Sequence, residues 1–136
     1  MKVTVDANAL FASLIRDSTA RQLFFNPALA LYAPEFLIDE LVRHIMEVQE
    51  KSGLRDEELS HLVAKAFAQV TFVSDKELKP FLPAAASLIK DSKDWLYLAC
   101  ALREDTAMWS NDNHFTSQRR VKVLTTKALL AMVGSL

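Results

Sequence analysis

Glycine is almost missing from this chain: only Gly53 and Gly134 occur in 136 residues. A phosphate-cradling loop or a dinucleotide fingerprint needs several glycines close together, because the backbone must approach phosphate with no Cβ in the way. Neither can be built here, and nucleotide cofactors bound in those ways are excluded. Cysteine is scarcer still. Cys100 alone rules out an internal disulfide and any cysteine-rich zinc site. Its apolar setting, residues 95–102, suits a small buried thiol rather than a nucleophile. His44, His61 and His114 include no pair spaced i, i+4, so a helical zinc motif is absent. His44 and His61 read as surface residues, and His114 is a minor candidate for substrate contact. No serine sits in a nucleophile-elbow sequence, which argues against a serine hydrolase.

Long apolar runs are also lacking. None approaches the ~20 residues needed to span a bilayer, and the opening MKVTVDAN has none of the features of a signal peptide. A cytoplasmic protein with no membrane contact is the expectation. Nor is there excess charge of one sign: 16 basic against 17 acidic residues leave a net charge of -1. Such a chain has no global field to draw in a polyanion, so any nucleic-acid contact must rest on local patches. The run Arg119-Arg120-Val121-Lys122 is one, though a solvated face explains it more simply.

What is present is the composition of a soluble globular protein, 51% apolar and 24% charged. The length suits one domain, residues 1–136, without repeats or linkers. Residues 2–5 alternate apolar and polar with β-branched character and predict a strand. Leu10, Phe11, Leu14 and Ile15 recur at helical spacing, and residues 20–25 predict a further helical stretch. Residues 29–33 form a short apolar run closed by Pro34, which suits a buried strand. From Glu35 a strong helix carries Leu37, Leu41, Ile45 and Val48 in one row, with Ile38, Val42 and Met46 beside it, and stops near Ser52-Gly53. A helix from Asp56, a strand at 70–73 and a helix from near Pro83 follow. Then come a helix at 95–102, strands at 107–110 and 121–124, and a C-terminal helix. Strands separated by helices predict an α/β fold: a doubly wound, mostly parallel sheet of about five strands covered on both faces.

Four carboxylates stand near the ends of these apolar segments: Asp6, Glu40, Asp94 and Asp112. In a parallel sheet the carboxyl ends of the strands face one crevice, where residues distant in sequence meet. Crowded carboxylates repel one another, and a hard divalent cation relieves the repulsion. Each has a plainer reading as well. Asp6 suits a helix N-cap as readily as a ligand, and Asn8 suits a turn or a polar contact. Asp94 belongs in a first helical turn capped by Asp91 or Ser92, yet Asp91 and Asp94 at i, i+3 can point together. Asp112 lies in a turn-forming cluster, residues 110–115. Glu40 competes with Glu35, Asp39 and Glu47, and periodicity does not choose among them. Trp95 and Trp109 flank the two later segments; core packing is the default for both, with base stacking the alternative.

Taken together these segments resemble the PIN-domain ribonucleases. Val5-Asp6-Ala7-Asn8-Ala9-Leu10-Phe11 looks like that family's opening motif, and Ile38-Asp39-Glu40-Leu41 its second. Asp91-Ser92-Lys93-Asp94-Trp95-Leu96 resembles the third, and Ser110-Asn111-Asp112-Asn113-His114-Phe115 the fourth, with Ser-Asn-Asp in place of the more frequent Thr-Gly-Asp. The resemblance implies an endoribonuclease in which Asp6, Glu40, Asp94 and Asp112 are catalytic and hold Mg2+ or Mn2+, with Asn8, Asp91 and Ser110 as accessory residues. It further implies an RNA substrate, a homodimer and an antitoxin partner of the VapC type. Two other readings stand beside it. One is a non-catalytic module whose amphipathic helices bind a protein or a second copy. The other is an aspartate-nucleophile phosphatase, disfavoured because Asn8 occupies the position where that chemistry needs a proton-donating aspartate.

Overall fold

The computed structural model describes residues 1–134; the last two residues of the expected 1–136 domain lie outside the described residues. Five strands form one sheet: β1 (Lys2–Val5), β2 (Ala30–Pro34), β3 (Val70–Val73), β4 (Ala107–Trp109) and β5 (Val123–Leu124). Every pairing is parallel, and the spatial order is β3-β2-β1-β4-β5. The chain therefore winds outward from β1 through β2 and β3, then returns to lay β4 and β5 on the other side. Helices α1 (Ala7–Ile15), α2 (Thr19–Phe24), α3 (Phe36–Ser52), α4 (Asp56–Ala68), α5 (Asp75–Leu78), α6 (Leu82–Leu88), α7 (Trp95–Glu104) and α8 (Thr126–Gly134) make the connections and coverings. The α/β doubly wound sheet expected from the strand–helix alternation is what the chain forms.

The pleat divides β1 and β4 between two helical layers. Thr4 and Met108 are paired in register, and Thr4 faces α7, where its hydroxyl lies 3.9 Å from the Cys100 sulfur and 2.7 Å from the Thr106 hydroxyl. That polar side chain is fully buried because the sheet has no solvent face, and its hydrogen bonds offset the desolvation. Val5 and Trp109, the next pair, point to the opposite layer, where Phe24 of α2 packs against Trp109 and Thr126 of α8 accepts the indole N–H. Cys100 is buried as expected, and burial pushes its thiol up to about 12, which fits an inert packing residue.

The predicted boundaries shift for local reasons. Pro34 ends β2 from within the ladder, opposite Val73, rather than standing just past it. β5 is shorter than the 121–124 expected, because the Gln118 amide staples the preceding turn, donating to the Phe115 and Val121 carbonyls and accepting from Val121 N–H. Gly53 stops α3 in the left-handed conformation at φ 69°, where a glycine carries no Cβ penalty. Within α3, Leu37, Leu41 and Val48 of the apolar row are buried, while Val42 and Met46 beside it face solvent, 68% and 82% exposed. The basic run at 119–122 leads into β5, at the amino edge of the sheet, opposite the strand ends that carry the carboxylates.

Candidate active site

The strand order reverses between β1 and β4, and the segments leaving these two strands define a crevice at the carboxyl edge of the sheet. Asp6 leaves β1 and is 4% exposed. It does cap α1, its Oδ1 accepting the Ala9 N–H at 3.0 Å, and its Oδ2 accepts the Ser110 hydroxyl at 2.6 Å. Asp6 therefore both caps α1 and is tied to Ser110 at the carboxyl edge of the sheet. Ser110 leaves β4, and its oxygen in turn accepts the Asp112 N–H at 3.0 Å. One buried hydroxyl thus ties Asp6 to the loop bearing Asp112. Asp112 Oδ1 accepts the His114 N–H, opening the short 3-10 turn Asn113–Ser117.

The third carboxylate arrives from α7. Asp91 caps the 3-10 turn Ser92–Asp94, accepting the Lys93 N–H at 3.0 Å, and this turn runs directly into α7 with Asp94 at the junction. The Asp94 side chain is 14% exposed. Its Oδ2 is buried without a hydrogen-bond partner, the only such side-chain atom among the described residues. The fourth, Glu40, stands one turn inside α3 and accepts the Tyr97 hydroxyl of α7 at 2.5 Å. That contact separates Glu40 from its competitors: Glu35 and Asp39 are exposed, and Glu47 pairs outward with Lys51 and His44.

Electrostatics link several of these groups pairwise. Burial raises the Asp6 carboxyl to about 6 against the pull of its two hydrogen bonds, and Asp112 and Asp94 add repulsion. Asp94 is likewise raised to about 6, first by burial and then by Asp91, with Asp112 and Glu40 adding to it and His114 opposing. Burial, the bond to Glu40 and the charges of Glu40, Asp6 and Asp94 push the Tyr97 phenol far up, so it remains a hydrogen-bond donor. Asp6, Asp94 and Asp112 therefore act on one another and Glu40 acts on Asp94, although the strands, α3 and α7 that carry them are far apart in the chain.

Of the accessory residues, Asp91 and Ser110 belong to this cluster, and Asn8 lies exposed in the first turn of α1. His114 has a larger part than its sequence context indicates. Its Nδ1 stands 3.3 Å from Asp112 Oδ2 and 3.9 Å from Asp94 Oδ2. Donor atoms of Asp91, Asp94 and His114 all lie within 4.8 Å of one another. A cavity of about 390 Å³ adjoins them, lined also by Ile89, Lys90 and Ser117. Tyr97 is a residue the sequence does not single out; its place three residues after Asp94 is the one signal for it. His44 is half-buried rather than freely exposed, packed against Phe11.

The donor chemistry fits a divalent cation. Buried carboxylates repelling one another and an orphaned Asp94 oxygen are what such an ion would satisfy, and oxygen donors match Mg2+ or Mn2+.

Residues 4–132 match the family model of the PIN domain. No curated protein matches the sequence. Among solved structures the chain is similar to PAE2754 from Pyrobaculum aerophilum, at 17% identity and a TM-score of 0.71, covering 100% of this chain and 91% of that one. It is similar too to VapBC2 from Rickettsia felis, bound to a DNA fragment from their promoter. There the identity is 12% and the TM-score 0.67, over 92% of this chain and 98% of that one. Both likenesses extend over nearly the whole fold.

Proposed function

This chain belongs to the PIN-domain family, and from that premise we propose that it is a metal-dependent endoribonuclease that hydrolyses RNA phosphodiester bonds. What supports the proposal is the placement of Asp6, Asp94 and Asp112 near one another at the carboxyl edge, with Glu40 acting on Asp94 and one Asp94 oxygen without a hydrogen-bond partner; the donor atoms that lie within 4.8 Å of one another are those of Asp91, Asp94 and His114. These four residues would hold Mg2+ or Mn2+, with Asp91 and His114 at the edge of the set. A divalent cation held there acidifies water and offsets the charge that develops on a phosphodiester. The protein's part is to bring the oxygens together and hold them in place. Ser110 orients Asp6 and the Asp112 backbone at once, and Tyr97 fixes the Glu40 carboxylate. Above pH about 6 both Asp6 and Asp94 are ionised, which is the state a cation requires. The imidazole nitrogen beside Asp94 favours Mn2+ over Mg2+, because nitrogen donors suit transition metals better than magnesium.

By analogy with the VapBC2 pair, the same proposal includes a role as the toxin of a toxin–antitoxin pair. An antitoxin would be the protein partner, and the active form a cytoplasmic homodimer. No helix among the described residues is long and apolar enough to cross a membrane. Exposed Val42 and Met46 on α3 favour a protein contact of some kind, and this is also the feature that a purely non-catalytic module would use.

The test is incubation of the purified protein with single-stranded RNA in Mn2+, in Mg2+ and in EDTA, with fragments resolved by gel. Internal cleavage in Mn2+, weaker cleavage in Mg2+ and none in EDTA is the expected outcome. Intact RNA under all three conditions, with the protein folded, overturns the proposal in favour of the module.

A further inference from the structure

A second cavity, of about 580 Å³, lies along the same edge of the sheet. Its apolar walls are Leu82, Trp95 and Leu96; its polar lining is Lys76, Lys79 and Ser92, with Asp75 also present. The topology places it beside the crevice. α5 follows the carboxyl end of β3, and Ser92 and Trp95 belong to the turn and helix start that carry Asp94. That stretch of chain thus separates the two cavities: Asp91 and Asp94 line the first, Ser92 and Trp95 the second.

We infer that this cavity is a nucleotide subsite of the proposed nuclease, in which a base of single-stranded RNA stacks on Trp95 while Lys76 and Lys79 neutralise the adjoining phosphates. The inference rests on the nuclease proposal and deepens it. Three features carry it. The indole is fixed, since its N–H donates to the Ile89 carbonyl at 2.8 Å, so a stacking platform is preorganised and little is lost in ordering it. Both lysines are exposed and make no ion pair among the described residues, whereas neighbouring Glu77 is held by Arg103. Two free cations therefore outweigh Asp75, and the local charge is positive on a chain whose net charge is -1. Finally, the volume falls within the roughly 300–1,000 Å³ of small-ligand sites, with mainly apolar walls and few polar groups, which suits a base better than a phosphate alone. Asp94 and Trp95 are consecutive, so a base seated on the indole brings a phosphate of the same or the next nucleotide towards the carboxylates.

The chain supplies its own reporter. Trp95 is partly exposed, and the other tryptophan, Trp109, is fully buried. Metal-free wild-type protein in EDTA is titrated with a ten-residue single-stranded oligoadenylate, reading tryptophan fluorescence and, separately, anisotropy of labelled RNA. Saturable quenching is expected. Trp95→Ala should raise Kd about ten- to a hundredfold, as loss of one stacked base does. The surface variant Lys76→Gln/Lys79→Gln, which leaves packing alone, should weaken binding at low salt and lower the salt slope by about 1.4, at ~0.7 per phosphate contact on a single strand. Absence of quenching at 100-fold excess RNA overturns the subsite, as does an unchanged Kd in the lysine variant; a protein side chain would then be the better occupant. Because no cleavage is read, quenching without nuclease activity would sink the nuclease proposal and leave RNA binding standing. Cleavage with unaltered binding in the variants would do the reverse.

Discussion

Asp6→Asn is expected to abolish RNA cleavage and, in the same protein without metal, to increase stability at neutral pH. The two effects share a cause. Asp6 is buried, and its carboxyl is raised from 3.8 to about 6. A group whose folded pKa exceeds its unfolded value stabilises the fold fully below the unfolded pKa, and that contribution is lost as pH rises through the folded pKa. Between pH 4 and 7 the metal-free protein therefore loses stability on account of this one residue, by up to about 3 kcal/mol at 1.36 kcal/mol per unit. Asparagine is neutral throughout and keeps an oxygen to accept from Ala9 or Ser110, though not from both. Urea unfolding at pH 7.5 should show the variant more stable by about 1–3 kcal/mol, with the gain shrinking to near zero or reversing at pH 4. Cleavage should fall by about a thousandfold or more if the residue holds the cation. A variant that is inactive because it is unfolded would show the opposite stability change. A variant active at the wild-type level would remove Asp6 from the site.

The second large effect is stabilisation by the ion itself. Folding creates the cluster, so an ion binds the native state and not the unfolded chain, and at 100 times Kd it adds about 2.7 kcal/mol. For a domain of this size that is a rise in Tm of roughly 8–15 °C. The rise depends on pH in a stated direction. Asp6 and Asp94 both titrate near 6 in the metal-free fold, and the cation must displace those protons to bind. Scanning calorimetry with Mn2+ should therefore show a small rise at pH 5 and the full rise at pH 7.5. Asp94→Asn should remove most of it at either pH, since the unpartnered oxygen of Asp94 is the atom with most to gain. An equal rise at both pH values, or one retained in the variant, would locate binding elsewhere.

Much of the candidate site is legible before folding. Asp6, Asp94 and Asp112 each follow a short apolar segment or open a helix, positions that a parallel sheet gathers at one edge, and the strand–helix alternation makes that sheet readable. Glu40 is not legible in the same way. Asp39, Glu40 and Glu47 share α3 with Glu35 just before it, and what sets Glu40 apart is the Tyr97 hydroxyl of α7, a contact 57 residues away. His114 is visible beside Asp112, but its approach to Asp94 depends on α7 abutting the β4 loop. The exposure of Val42 and Met46 is not legible for a related reason. Helical period places them beside the apolar row, yet only the neighbours of α3 decide how wide a stripe is covered, and these two are left outside.

Diffraction from crystals grown with Mn2+, recorded for anomalous signal, tests the central claim most directly. A peak about 2.0–2.3 Å from carboxylate oxygens of both Asp6 and Asp94, with Glu40 and Asp112 beside it directly or through water, is the predicted result. Strong peaks confined to other acidic surfaces, with the crevice between β1 and β4 holding only water, would contradict it.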